Sequence, residues 1–422
     1  VFLCVLMLSG SLVFDSSVFS PKAFAAGSAE SVSVGGNEVR RAELNFNSDW
    51  KFSLSDPTGA MAKAFDDSTW ETVDLPHDFS ITQDFTNSGT EVESGNLPTG
   101  TGWYRKMFTM PADYASKEVF LNFDGVYNNA FIYVNGKLVA ENHYGYNSFS
   151  VNIGNYITCN GSTWNLVAVK VESEMASSRW YSGSGIYRDV TMTITNPVHV
   201  ARHGTYVTTP TVGSESAAVN AEVTVDNDSS ERKDVTVTTN VYDPSEKKVS
   251  SAEKNVTVEA KSSNSLSFDH SVSSPLLWDV DSPNLYTLET VITDDESGTV
   301  DIYKTEFGIR TISWETETGF YLNGKSLKLK GVCLHHDQGA LGAVQEYDAL
   351  YRQLKILKDM GCNAIRTSHN SASRVLIDLC NELGFLVMEE FFDDWDSPKN
   401  GNSNDFSKYF SQNLAEDNAL VG

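Results

Sequence analysis

Hydrophobic and polar residues alternate along the first half of the chain. Between about residues 41 and 197, short runs rich in Val, Thr, Tyr and Phe recur between turn residues, as in EVFLNFDGVYNNAFIYVNGKLVAEN. A period of two is typical of strands that bury one face. Asp124-Gly125 and Asn135-Gly136 lie between such runs and predict tight hairpins. We therefore predict an all-β domain here, folded as a sandwich.

A second all-β region follows, from about residue 198 to 312. Its aromatic content falls and Ser, Thr and Val dominate, as in AAVNAEVTVDNDSS and KDVTVTTNVYDP. The length and the regular turn signals predict an immunoglobulin-like sandwich. Asn196-Pro197 is the expected linker before it.

The pattern changes after Gly319, where strands alternate with helices. SLKLKGVCLHH, CNAIRTS and FLVMEEFFD read as strands, and apolar residues at helical spacing lie between them, ending at Gly361 and Gly384. Strict alternation predicts a parallel sheet, either a barrel or a doubly wound sheet. Three strands over about 100 residues fall well short of the eight strands and roughly 250 residues of a (β/α)₈ barrel. We therefore expect 313–422 to be the truncated N-terminal part of a barrel, ending in a polar helix.

The chain begins with the apolar run VFLCVLMLSGSLVF, which Asp15 interrupts. Ala23-Phe24-Ala25 has the small-x-small form of a signal-peptidase site. We interpret residues 1–25 as a secretory signal with its basic start missing, and 26–40 as a linker. A buried strand or a membrane anchor is the alternative, although an anchor needs about 20 apolar residues. We expect an exported protein, whether secreted, periplasmic or on the cell surface, with no membrane span in the mature chain.

Composition and charge narrow the classes of protein. The 422 residues are enough for two or three domains, and 40% hydrophobic and 11% aromatic content supports sizeable cores. A formal net charge of −25 would repel a phosphate backbone, which excludes nucleic acid as the expected partner. Beyond Cys4 in the N-terminal run, the cysteines show no CxxC spacing and are expected to be buried free thiols, with a bridge between Cys333 and Cys362 left open; they are Cys159, Cys333, Cys362 and Cys380.

Polar clusters end all three strands of the α/β region. They are His335-His336-Asp337, Arg366-Thr367-Ser368-His369-Asn370, and Glu389-Glu390 with Asp393-Asp394. Reactive groups of parallel α/β domains collect at these strand ends, so the clusters predict a polar cleft. Neighbours in a strand point to opposite faces, so one histidine of the pair should face the cleft. This histidine could bind a sugar, or it could only form hydrogen bonds within its own loop. Both interpretations are favoured over a transition-metal ligand, because no HExxH spacing is present.

Arg366 needs a carboxylate partner inside a barrel, and Glu389 or Glu390 is the expected one. Two roles for Arg366 stay open: a purely structural ion pair and a contact with a ligand. Glu389 and Glu390 are not expected to act together as acid and nucleophile, because adjacent residues cannot both face the cleft. Gly183-Ser-Gly185 lacks a βα unit, so it does not indicate dinucleotide binding.

Three stretches resemble glycoside hydrolase family 2. They are SRWYSGSGIYRDV (178–190), FGIRTISWETETGFYLNGKSLKLKGVCLHHDQGALG (307–342) and LKDMGCNAIRTSHNSASRVLIDLCNELGFLVMEEFFDDW (357–395). The HHDQGALG variant is most similar to the family's β-galactosidases. The resemblance implies a jelly-roll sugar-binding domain at 41–197, an immunoglobulin-like domain at 198–312 and a TIM barrel. It also implies hydrolysis of terminal β-galactosides with retention, through a covalent glycosyl-enzyme.

The resemblance also assigns roles to single residues. It places the acid/base and nucleophile glutamates on later barrel strands, expected after Gly422, the first in an Asn-Glu pair. Substrate-binding roles go to His335, Asp337, His369, Asn370 and Trp395, and supporting roles to Arg366, Glu389 and Glu390. Mg²⁺ or Na⁺ binds near this site in some members. One departure is Ser371, where the family usually has proline; it is expected to loosen that turn.

The alternatives within the family are β-glucuronidase and β-mannosidase, because later barrel loops largely determine the choice of sugar. An alternative of another class is a non-catalytic carbohydrate-binding surface protein built on the two sandwiches. The expected partners are β-galactoside oligosaccharides or glycans. Assembly of the chain into a homo-oligomer is left open. We expect the 422-residue chain itself to be inactive.

Overall fold

The first domain is a sandwich of two antiparallel sheets. The computed structural model of the protein describes residues 40–173, 178–295, 298–394 and 399. A four-stranded sheet has the order β1-β10-β5-β8, and a six-stranded sheet has the order β3-β2-β4-β9-β6-β7. The strands are β1 Arg41–Asn45, β2 Trp50–Ser53, β3 Glu71–Val73, β4 Gly100–Thr109, β5 Glu118–Phe123, β6 Ala130–Val134, β7 Lys137–Asn142, β8 Phe149–Asn152, β9 Trp164–Ser173 and β10 Val190–Thr195.

One of the two predicted hairpins is present. Asn135 and Gly136 join β6 to β7 with φ of 48° and 85°, the two positive values that a type I′ turn needs. The prediction of a hairpin at Asp124-Gly125 is wrong, because the strands on either side of it, β5 and β6, lie in different sheets. Gly125 instead packs against a side chain: a Cβ there would lie 2.7 Å from Arg188 Cδ. The glycine therefore provides space and does not form a hairpin turn.

The second domain is a sandwich of three strands on four. The sheets have the orders β11-β12-β15 and β14-β13-β18-β19, with a short ribbon formed by β16 and β17. Alternate residues point inward and form a core dominated by valine. The strands are β11 Val198–Val212, β12 Ser216–Asn227, β13 Lys233–Tyr242, β14 Lys248–Val258, β15 Ser262–Ser273, β16 Trp278–Asp279, β17 Ser282–Pro283, β18 Tyr286–Asp294 and β19 Gly298–Phe307.

The third region begins with an antiparallel sheet and continues into a parallel one. β20 Ile312–Glu315, β21 Gly319–Leu322 and β22 Lys325–Ser326 form the first. β23 Gly331–Leu334, β24 Ala364–Thr367 and β25 Leu386–Met388 form the second. The helices α1 Tyr347–Asp359 and α2 Arg374–Leu383 connect the parallel strands.

The predicted third parallel strand is shorter than expected, and its ladder has a clear end. The backbone N–H of Glu390 donates to the side-chain oxygen Oγ1 of Thr367 on β24 at 3.0 Å, so it does not continue the backbone ladder between β24 and β25. The strand SLKLKGVCLHH is likewise reduced to Gly331–Leu334. The predicted polar helix at the end of the chain lies outside the described residues.

The four cysteines among the described residues are free: Cys159, Cys333, Cys362 and Cys380. The expectation that they are buried is wrong for Cys333, which is exposed next to Arg366, while Cys380 is buried in the helix-sheet core. Among the described residues, no helix combines the length and the apolar character that a membrane crossing requires.

Candidate active site

The ends of the parallel strands bring an arginine, a histidine and a glutamate together. Arg366 Nε donates to Glu390 Oε1 at 2.6 Å, and His369 Nδ1 lies 2.7 Å from Glu390 Oε2. Arg366 follows Ile365 on β24, and Glu390 lies just beyond the end of the adjacent strand β25, which sets the two side chains side by side. One carboxylate thus binds two cationic or donor groups from the neighbouring strand.

The electrostatics of this group favour a charged glutamate. Burial works against the charge, but the hydrogen bonds from His369 and Arg366 outweigh it and hold the pKa of Glu390 below its usual value. His369 Nδ1 also lies 3.1 Å from an Arg366 terminal nitrogen. The shorter distance to the carboxylate favours the tautomer with the proton on Nδ1, which leaves Nε2 as an acceptor.

Glu389 and Glu390 lie beyond the end of β25, and their side chains bind different partners. Glu389 Oε1 accepts a hydrogen bond from the Ala372 N–H at 2.9 Å. Arg366 therefore pairs with Glu390 and not with Glu389.

The two adjacent histidines also separate. His335 is half-buried, and its ring lies 5.4 Å from the His369 ring at 80°. The His336 ring packs against Tyr146 and Tyr187 of the first domain, and its Nε2 lies 3.3 Å from the Ser182 carbonyl oxygen. Burial lowers the pKa of His336 to about 3, so it is neutral at physiological pH. His335 faces the strand-end cleft, and His336 faces the first domain.

Trp180, which was not singled out from the sequence, completes this group. Its ring centroid lies 5.6 Å from both His335 and His369. It comes from the loop before β10, and it is 8% exposed. Its indole N–H has no acceptor among the described residues, and the same holds for Asn370 Nδ2. Two buried donors thus remain available for a ligand with acceptor oxygens, such as a sugar.

The other predicted site residues are less closely engaged. Asn370 is buried beside His369, whereas Asp337 is exposed in the loop after β23. Trp395 lies outside the described residues.

The first domain contacts the loops that follow all three parallel strands. Arg188 donates to the carbonyl oxygens of Ser371 at 2.7 Å and Ala372 at 3.2 Å. Arg179 binds Asp393 with two hydrogen bonds of 2.5 and 3.0 Å. The stretch 178–190 supported the resemblance, but it gave no sign of which side chains reach across to the sheet.

The described residues leave the Mg²⁺ or Na⁺ site of the resembled family as a prediction. They contain no group of three or more His, Cys, Asp or Glu side chains placed to hold a metal ion. The nearby acidic groups are engaged elsewhere: Asp393 binds Arg179 and Lys399, and Glu390 binds Arg366.

Three family models match the chain in succession. The model for the sugar binding domain of glycosyl hydrolases family 2 matches residues 44–197, that for glycosyl hydrolases family 2 matches 198–310, and that for the family's TIM barrel domain matches 315–414. The chain belongs to glycosyl hydrolase family 2. The predicted fold, two β-sandwiches followed by part of a TIM barrel, is thereby confirmed.

Relatives in this family carry two different names. The chain is 42% identical to beta-galactosidase BoGH2A of Bacteroides ovatus, over 88% of this chain and 43% of that protein. It is 35% identical to a putative beta-glucuronidase of Formosa agariphila, over 90% of this chain and 36% of that protein. The solved structure of a family 2 member from Bacteroides cellulosilyticus aligns with a TM-score of 0.84 and 38% identity, over 89% of this chain and 49% of that one. The chain thus spans less than half the length of these relatives.

Proposed function

We propose that the protein hydrolyses terminal non-reducing β-D-galactose residues from β-galactosides, with retention of configuration. The observation that carries the proposal is the strand-end group of Glu390, Arg366 and His369, faced by Trp180. An aromatic face beside hydrogen-bonding side chains is a common way to bind a pyranose ring. The similarity to BoGH2A, which is named a β-galactosidase, supports galactose as the sugar.

In this mechanism one glutamate protonates the leaving oxygen and a second attacks the anomeric carbon. We propose that both follow Gly422, on later strands. Glu390 is unsuited to the acid role, because its pKa is lowered and not raised. Its role here is to fix the Arg366 guanidinium and the His369 ring, so that His369 Nε2 can accept a hydrogen bond from a sugar hydroxyl.

A β-glucuronidase is the second candidate, because the Formosa agariphila relative is named a putative beta-glucuronidase. A glucuronate carboxylate would require a free basic group. Arg179 and Arg366 are both already paired with carboxylates. A β-glucuronidase would therefore need its basic cluster from residues beyond Gly422.

The coding sequence that follows Gly422 tests the proposal first. We expect it to encode an Asn-Glu pair within a few tens of residues. A chain without that pair would contradict the glycosidase and favour the non-catalytic carbohydrate-binding protein, which needs only the sandwiches.

We also propose that the protein is exported, after cleavage near Ala25. Mass spectrometry of the secreted protein should show a mature chain that begins at residue 26. A cytoplasmic protein that retains residues 1–25 would contradict this proposal.

A further inference from the structure

A buried carboxylate of the first domain joins three segments of the molecule. Asp78 lies between β3 and β4 and is 1% exposed. Its Oδ1 accepts hydrogen bonds from the N–H groups of Ser80 at 3.0 Å and Ser184 at 2.9 Å. Its Oδ2 accepts from the Tyr181 hydroxyl at 2.5 Å and from the Ala343 N–H at 2.9 Å. The last contact crosses from the first domain to the loop after β23.

Two glycines make room for this carboxylate. Gly183 and Gly342 have φ of 69° and 67°, a region that side chains rarely adopt. A Cβ at Gly183 would lie 2.6 Å from Asp78 Oδ2, and one at Gly342 would overlap the same oxygen. The backbone thus approaches Asp78 from both domains at points where only glycine fits.

From Ala343, hydrogen bonds continue back to the histidines. The Gln345 amide Nε2 donates to the carbonyl oxygens of Ala343 at 3.1 Å and His336 at 2.7 Å. The Gln345 backbone N–H donates to the Tyr187 carbonyl oxygen at 3.1 Å. The loop 336–345 is therefore fastened to the first domain at His336, Ala343 and Gln345, and His335 directly precedes it.

We propose that Asp78 is a positioning residue for the sugar pocket, acting through Ala343 and Gln345 to fix the loop that begins at His335. It has no direct contact with that histidine. Because Trp180 precedes Tyr181, which donates to the same carboxylate, Asp78 also fixes the aromatic wall on the other side of the cleft. Because it concerns a sugar pocket, this role of Asp78 rests on the proposed function.

The substitution Asp78→Asn tests the role with little change of shape. Each carboxylate oxygen faces two donors, but only the Tyr181 hydroxyl can turn to accept from an NH₂ group. The amide nitrogen is therefore expected at the Oδ2 position, where the buried Ala343 N–H loses its acceptor. Asp301→Asn is the matched control. Asp301 is also fully buried, and it links the first two domains by accepting from Arg41 at 2.9 Å and from the Val200 N–H at 2.8 Å.

Hydrogen–deuterium exchange of the 422-residue chain, followed by mass spectrometry, gives the first measurement. Asp78→Asn should speed exchange of peptides covering 336–345 by about tenfold, which corresponds to the loss of one buried hydrogen bond. Asp301→Asn should leave those peptides at the wild-type rate and speed exchange around Val200. Wild-type exchange at 336–345 in Asp78→Asn would overturn the inference.

Kinetics of the protein extended past Gly422 give the second measurement. We expect Asp78→Asn to lower kcat/KM for nitrophenyl β-galactoside about tenfold and Asp301→Asn to remain within about twofold of wild type. Equal losses in the two variants would reduce Asp78 to a stabilising role and overturn the inference. A wild-type protein without activity would contradict the proposed function alone, because the exchange measurement would still decide whether Asp78 fixes the loop.

Discussion

Neighbouring residues at the strand ends have separate tasks, because their side chains bind different partners. Glu390 binds Arg366 and His369, whereas Glu389 binds a backbone N–H. The sequence could predict that Arg366 meets a carboxylate, because a guanidinium inside a sheet needs one. It could not predict Trp180, because the contact with His335 joins residues of different domains and no local periodicity encodes it.

The substitution Glu390→Gln should make the free energy of unfolding depend less on pH in the acid range. The pKa of Glu390 is lowered in the folded protein, so its pairing stabilises the fold above the ordinary glutamate range and is lost as pH falls through the lowered value. We expect a loss of about 1 kcal/mol at pH 7 that shrinks toward zero as pH falls through the lowered pKa of Glu390. Urea denaturation across this range measures the difference.

Glu389→Gln is the control for that series, because the amide retains an oxygen that can accept from the Ala372 N–H. We expect its unfolding free energy to stay within about 0.5 kcal/mol of wild type. A Glu390→Gln loss that stays constant or grows at low pH would show that the ion pair does not stabilise the fold.

The sequence predicts the positions of the two helices more accurately than it predicts where the strands end. The apolar spacing and the following glycines placed α1 and α2 closely, and Gly384 does adopt the left-handed conformation with φ of 76°. Strand ends depend on contacts outside the strand. β25 stops where the Glu390 N–H bonds to Thr367, and the Asp124-Gly125 signal reflects packing against Arg188.

The two helix-ending glycines allow a matched comparison. Both have positive φ, but a Cβ at Gly361 would meet nothing within 4 Å, whereas one at Gly384 would overlap the Val280 carbonyl oxygen. Gly361→Ala should cost about 1–2 kcal/mol, from the left-handed backbone alone. Gly384→Ala should cost at least about 1.5 kcal/mol more, because the ribbon that carries Val280 must move. Chemical denaturation measures both, and equal costs would contradict the close packing at Gly384.

At the scale of the whole molecule, the first domain supports the barrel loops. The order of domains could be predicted from the sequence, since the hydrophobic period changes after Gly319. The contacts between domains could not, because they depend on buried polar side chains such as Asp78 and Arg188, which lie in segments without regular structure. Each of the three strand-end loops accepts at least one hydrogen bond from the first domain or donates one to it.

Arg188 offers a test of this support. Its guanidinium is 1% exposed and donates to carbonyl oxygens of both domains, including Tyr146 at 3.0 Å and Ser371 at 2.7 Å. Arg188→Met should lower the unfolding free energy by about 3 kcal/mol, because several buried carbonyl groups lose their donor. The control Arg232→Met removes an exposed ion pair with Asp234 and should change it by less than about 0.5 kcal/mol. Similar losses in the two variants would show that Arg188 does not couple the domains.

We propose that the strand-end cleft binds galactose and that the reacting carboxylates follow Gly422. The most direct test compares kcat/KM for nitrophenyl β-galactoside, β-glucuronide and β-mannoside in the protein extended past Gly422 and in the 422-residue chain. We expect the galactoside to be the best substrate of the extended protein, and the 422-residue chain to hydrolyse none of the three. A preference for the glucuronide or the mannoside, or turnover by the 422-residue chain, would contradict the claim.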